Sequence, residues 1–145
     1  MFNYNVIGVA VLVALSGCAS VDCVPEKTRT GYALPGTNTV VVGIGIDKNG
    51  FPKETFKDVV AYPGQKVIYA GPDEFDIIFK NRKTPNDKVV NSSIKGIVII
   101  EIPKDILDRK EFVEEFRKNN QIIFDYGIKS NGKELDPPLI IRRGS

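Results

Sequence analysis

From residue 39 onward the chain alternates apolar and polar positions with a period of two, the pattern of strands that bury one face. Val40, Val42, Ile44 and Ile46 alternate with Val41, Gly43, Gly45 and Asp47. Asp47-Lys48-Asn49-Gly50 then supplies hairpin chemistry, because Asn-Gly accepts the positive φ of a tight turn. Phe56–Tyr62 reads as a second strand stopped by Pro63-Gly64, and Lys66–Ala70 as a third closed by Gly71-Pro72. Phe75, Ile77 and Phe79 alternate with Asp76, Ile78 and Lys80. Ile97–Ile102 is a β-branched run of the kind buried on both faces. Ile122, Phe124, Tyr126 and Ile128 give another alternation, Asn131-Gly132 a second turn, and Pro138–Arg142 a closing strand.

One segment departs from period two. Asp108-Arg109-Lys110-Glu111 reads as a capping box, after which Phe112, Val113 and Phe116 share a helical face until Asn119-Asn120. Strands separated by turns, with one short helix, predict an all-β sandwich of about seven strands over residues 39–143.

The chain ahead of this domain has a different character. Residues 19–38 are polar, with Pro25, Gly31, Pro35 and Gly36 and no apolar period, and read as the flexible part of a tether over 18–38. Before them, Val6–Leu15 is an unbroken run of aliphatic residues and glycine. As a helix of about 1.5 Å per residue it is too short for a hydrocarbon core about 30 Å thick. Its length suits the apolar part of a secretory signal, here with no Lys or Arg in front of it. The run ends in Leu15-Ser16-Gly17-Cys18, which resembles the lipobox of bacterial lipoproteins. The resemblance implies a signal peptide over 1–17, diacylglycerol on Cys18, and acylation of the new amino terminus. An ordinary cleaved signal that ends near a cysteine is the alternative. Ala19 and Ser20 lack the aspartate linked with inner-membrane retention, which implies an outer-membrane anchor facing the periplasm. Cys23 is then a solvent-facing thiol or a partner for another molecule.

Composition narrows the chemistry. Among 145 residues there are 20 basic and 18 acidic side chains, a net charge of +2, which argues against nucleic acid as a partner. There is no histidine, which removes His-dependent triads and imidazole-ligated metals.

Three pieces of the domain resemble a cupredoxin, the Greek-key sandwich of the blue copper proteins. Tyr62-Pro63-Gly64-Gln65-Lys66-Val67 is similar to that family's Pro-Gly-x-x-Val turn. Glu74–Phe79 resembles the next strand, with Phe75 where the family has a copper histidine. Phe124-Asp125-Tyr126-Gly127-Ile128 resembles the strand leading to the copper cysteine, with Ile128 at that position. The resemblance implies the fold without the metal, since a blue copper centre takes two imidazoles, a thiolate and usually a thioether. Both cysteines precede the domain and Met1 is the only methionine. No metal and no cofactor other than the lipid on Cys18 is expected.

Other motifs carry little chemistry. Ser92-Ser93-Ile94-Lys95 has the Ser-x-x-Lys spacing of penicillin-binding enzymes without their further elements. Asp47-x-Asn49-Gly50 lacks the remaining ligands of a calcium loop. Residues 80–96 form a long connection carrying Lys80, Arg82, Lys83, Lys88 and Lys95 against one acid, Asp87. Such a loop suits an anionic glycolipid or an acidic envelope protein. The expected function is a non-enzymatic, membrane-anchored binding module of the cell envelope. A structural subunit of an envelope or secretion assembly is the alternative, and a small hydrolase working without histidine comes third.

Overall fold

The computed structural model describes residues 30–71 and 74–144. The expected signal peptide, Cys18 and most of the expected tether lie outside these residues. The described chain forms β1 (Thr30–Gly31), β2 (Thr39–Ile46), β3 (Pro52–Glu54), β4 (Asp58–Ala61), β5 (Lys66–Ala70), β6 (Asp76–Phe79) and β7 (Val90–Ser92). It continues with β8 (Ile97–Glu101), a helix α1 (Val113–Asn119), β9 (Ile122–Ser130), β10 (Lys133–Leu135) and β11 (Pro138–Ile141). The protein is an all-β sandwich with one short helix. All seven strands expected from the alternation are present.

The smaller sheet has the order β3-β2-β5-β8, and the larger β1-β4-β11-β9-β6-β7 with β10 added to β9. Pairing is mixed: β2 runs parallel to β5, and β4 parallel to β11, while the other pairs among the long strands are antiparallel. Two hairpins come from their turn residues. Gly50 (φ 79°) closes the turn between β2 and β3, and the Asp47 carboxylate accepts from the backbone N–H of Asn49 and Phe51. Asn131 (φ 50°) and Gly132 (φ 75°) make the two-residue turn between β9 and β10.

The inward faces of both sheets meet in one apolar core, with Val40, Val42, Val67, Ile100, Ile77, Ile128, Leu139 and Ile141 fully buried. A chain of aromatic rings in edge-to-face or tilted contact runs through it. Tyr69 meets Tyr126, Tyr126 meets Phe79, Phe79 meets Phe124, and Phe124 meets Phe112, at centroid separations of 5.2–6.2 Å. Such pairs add about 1 kcal/mol each beyond the area they bury.

Four details differ from the sequence reading. Thr30 and Gly31, expected in the tether, pair with Asp58 and Val59, so the folded region begins earlier. Ile97–Glu101 is not buried on both faces. Val98 and Ile100 point inward while Ile97 and Ile99 are about half exposed, because none of the described residues covers the outer face of the smaller sheet. The capping box does not form. Ile106–Asp108 is a single 3-10 turn, and α1 starts at Val113 with no side-chain cap. Its end is as expected, at Asn120 in the left-handed region (φ 57°). Finally, the long connection after β6 contains an edge strand, β7, paired to β6.

Candidate functional site

The aromatic chain has a polar group at each end. At one end is Glu54 on β3. The hairpin turn sets β3 against β2 with Ile44 opposite Glu54, so this carboxyl takes the inward-facing phase of the strand. The Tyr126 hydroxyl donates to its Oε2 at 3.2 Å. Burial pushes the Glu54 carboxyl up to about 8; the Tyr126 hydrogen bond opposes the shift and the neighbouring Asp58 charge adds to it. Glu54 is therefore largely a neutral acid near neutral pH. Burial also raises the Tyr126 and Tyr69 phenols, which stay protonated. The Tyr69 hydroxyl is buried without a hydrogen-bond partner among the described residues.

Beside Glu54 lies an open cleft of about 410 Å³ lined by the apolar Phe51, Pro52, Phe56 and Leu135 and by the charged Asp47, Lys53 and Lys57. Phe51 is held by Lys133, whose ammonium sits 4.7 Å from the ring centroid and donates to the Asn49 carbonyl. Apolar walls with a few polar groups among them are the usual makings of a small-molecule site. The arrangement suits hydrogen bonding to a neutral polar group on an apolar body.

At the other end is Lys83. Its ammonium donates to Glu115 Oε2 at 2.5 Å and to the Ile123 carbonyl at 2.6 Å, and lies 5.4 Å from the Phe124 ring centroid. Glu115 also accepts from the Ile123 N–H at 3.0 Å. This cluster joins α1 to β9.

The five basic residues singled out in the sequence are not brought together. Lys83 is engaged as just described, and Lys80 pairs with Asp136 at 2.6 Å and Glu134 at 3.4 Å. Arg82 and Lys88 are exposed at the end of the sandwich near α1, whereas Lys95 is exposed in the turn at the other end of β7. Ser92, the serine of the Ser-x-x-Lys spacing, is exposed on β7, while its neighbour Ser93 is buried and accepts from the Phe75 N–H at 3.0 Å. Phe75 and Ile128 are both core residues, on or beside the adjacent strands β6 and β9, and neither offers a donor atom to a metal. The side chains present therefore do not fit a blue copper ion. Among the described residues no three His, Cys, Asp or Glu side chains gather as a metal-binding group, and no helix is long and apolar enough to cross a membrane.

Glu54 was missed in the sequence because Phe51–Glu54 is a short arm. The signal was the Asn49-Gly50 turn, which requires a return strand whose alternate residues, Pro52 and Glu54, face inward. A scan against protein-family models finds no match to this chain, and a search of the curated proteins finds no similar sequence.

Proposed function

We propose that this protein is a lipid-anchored binding module of the cell envelope, moored through Cys18 and binding without catalysis. What supports the reading is the joining of Leu15-Ser16-Gly17-Cys18, which resembles a lipobox, to an all-β sandwich whose sequence resembles a cupredoxin with Phe75 and Ile128 in place of copper ligands. Two or more acyl chains, at about 0.8 kcal/mol per buried methylene, hold a small domain firmly on a bilayer. Polar residues 19–29 then give the sandwich reach from an outer membrane into the periplasm. The cleft beside Glu54 is the ligand site of this reading, and its ligand is a small molecule with an apolar body and a neutral hydrogen-bonding group. Arg82, Lys88 and Lys95 contribute at most separate contacts to an anionic glycolipid or envelope protein.

The anchor is tested by fractionating cells that express the chain with Cys18→Ala: the wild type stays with membranes and the variant moves to the soluble fraction. Membrane retention of the variant contradicts the reading. The cleft is tested with the neutral aryl amine N-phenyl-1-naphthylamine, whose fluorescence should rise with the wild type and not with Leu135→Arg.

The second reading, a subunit of an envelope assembly, is favoured by a separate observation. The outer face of the smaller sheet carries exposed Val41, Ile94, Ile97 and Ile99.

A further inference from the structure

That outer face has an internal order that selects its occupant. Strand register sets its side chains in rows across β2, β5 and β8: Thr39, Lys66 and Glu101; then Val41, Ile68 and Ile99; then Gly43, Ala70 and Ile97. The third row extends one position further, because Ile94 bridges to Ile97 across a turn through Lys95 (φ 52°) and Gly96 (φ 74°). Directly paired residues point to the same face, so Ile94, 78% exposed, stands out beside Ile97. At the opposite end of that row, a hollow of about 380 Å³ lies over Gly45 and beside Lys53 and Thr55, whose hydroxyl sits above Gly43 and donates to its carbonyl at 3.0 Å.

We propose that this face is a two-fold interface with a second copy of this chain. The axis runs parallel to the strands, midway between β5 and β8, so each β5 lies over the other copy's β8. Every row is then self-complementary. Lys66 meets Glu101 of the second copy and Glu101 meets its Lys66. Ile68 meets Ile99, the small Ala70 meets Ile97, and the protruding Ile94 packs against Thr55 at the hollow over Gly45. Within one copy Lys66 and Glu101 already pair at 3.4 Å with both side chains more than half exposed, so the two copies close a ring of four alternating charges. An axis lying over β5 instead would set Lys66 against Lys66, which charge repulsion disfavours. With strands about 4.8 Å apart and a rise of about 3.3 Å per residue, the face is some 15–20 Å on a side. That is about 200–400 Å² per copy, below the range of stable specific interfaces, so the dimer is weak and reversible. An anchor in the membrane would promote it by concentrating the copies in a plane.

Sedimentation velocity of the purified full chain in detergent, across a wide concentration range, tests this. The wild type should pass from monomer to dimer with rising concentration. Ile94→Glu should weaken the dimer by about tenfold or more, with an unchanged far-UV spectrum because Ile94 lies outside the core. Lys66→Glu and Glu101→Lys should each weaken it as well, while the double variant Lys66→Glu/Glu101→Lys, which restores opposite charges across the axis, should regain wild-type association. A monomer at every concentration overturns the proposal, as does a dimer indifferent to Ile94→Glu. So does a double variant no better than the singles. Ile94-dependent binding to phospholipid vesicles without self-association would assign the face to a bilayer and overturn it too. None of these outcomes depends on Cys18 being acylated, so the dimer and the anchor fail separately.

Discussion

A single carboxyl illustrates how far one residue's surroundings can override its composition-level role. Glu54 would be an ordinary surface charge in most three-residue strands, yet the hairpin phase turns it toward Tyr126 and Asp58. Its pKa rises from 4.5 to about 8, chiefly through burial. Between those values the folded protein holds a proton that the unfolded chain has released, so stability falls as pH rises through the window and levels off above it. Thermal melts at pH 4.5, 6 and 8 check this. Glu54→Gln should flatten the decline and melt higher than the wild type at pH 8, with little difference at pH 4.5. Parallel profiles for the two proteins would mean that Glu54 is not the group responsible. Gly132 gives a second residue-scale expectation. It holds φ 75° with nothing near the place of a Cβ, so Gly132→Ala tests backbone cost alone. Destabilisation of about 1 kcal/mol in a denaturant titration is expected.

At the scale of elements, the long strands were legible because alternation over four or more residues survives any choice of partner. Val40–Ile46 and Ile122–Ile128 carry it plainly. The short strands β1, β3, β7 and β10 were not, since two or three residues hold too little period and form only where a neighbour offers a free edge. The α1 start was misplaced for a local reason. Ile106 and Leu107 are drawn into the core, which spends Asp108 on a 3-10 turn and leaves Phe112, also buried, to lead into the helix. What holds that helix is the Lys83 cluster, invisible in sequence because its partners are 32 and 40 residues away. A double-mutant cycle with Lys83→Met and Glu115→Gln should show a coupling of about 1–2 kcal/mol, with amide exchange quickening first in α1. Additive effects would show that the pair contributes nothing to joining α1 and β9.

For the whole molecule, the sandwich follows from binary patterning, while the sites follow from which faces the sheets leave open. The basic run between residues 80 and 96 looked like one surface in sequence. In three dimensions β7 carries its residues to opposite ends of the domain, and Lys80 and Lys83 find acids from distant segments. The converse holds for Ile97–Glu101, where apolar continuity suggested burial and the outer side chains instead face solvent. The molecule thus has two features beyond its core, a cleft beside a neutral carboxyl and an apolar sheet face, together with an amino-terminal sequence that resembles a lipobox. Phe75 and Ile128 lie in the core on or beside adjacent strands, so titration of copper(II) into the purified protein should give no visible thiolate-to-copper absorption.

The anchor is the claim on which the placement of both features depends, and intact-mass spectrometry of the mature protein taken from membranes tests it most directly. The account predicts a chain beginning at Cys18 and heavier than its polypeptide by a diacylglyceryl group and an amide-linked acyl chain. A mature protein that starts elsewhere, or that begins at Cys18 with the bare polypeptide mass, would contradict it.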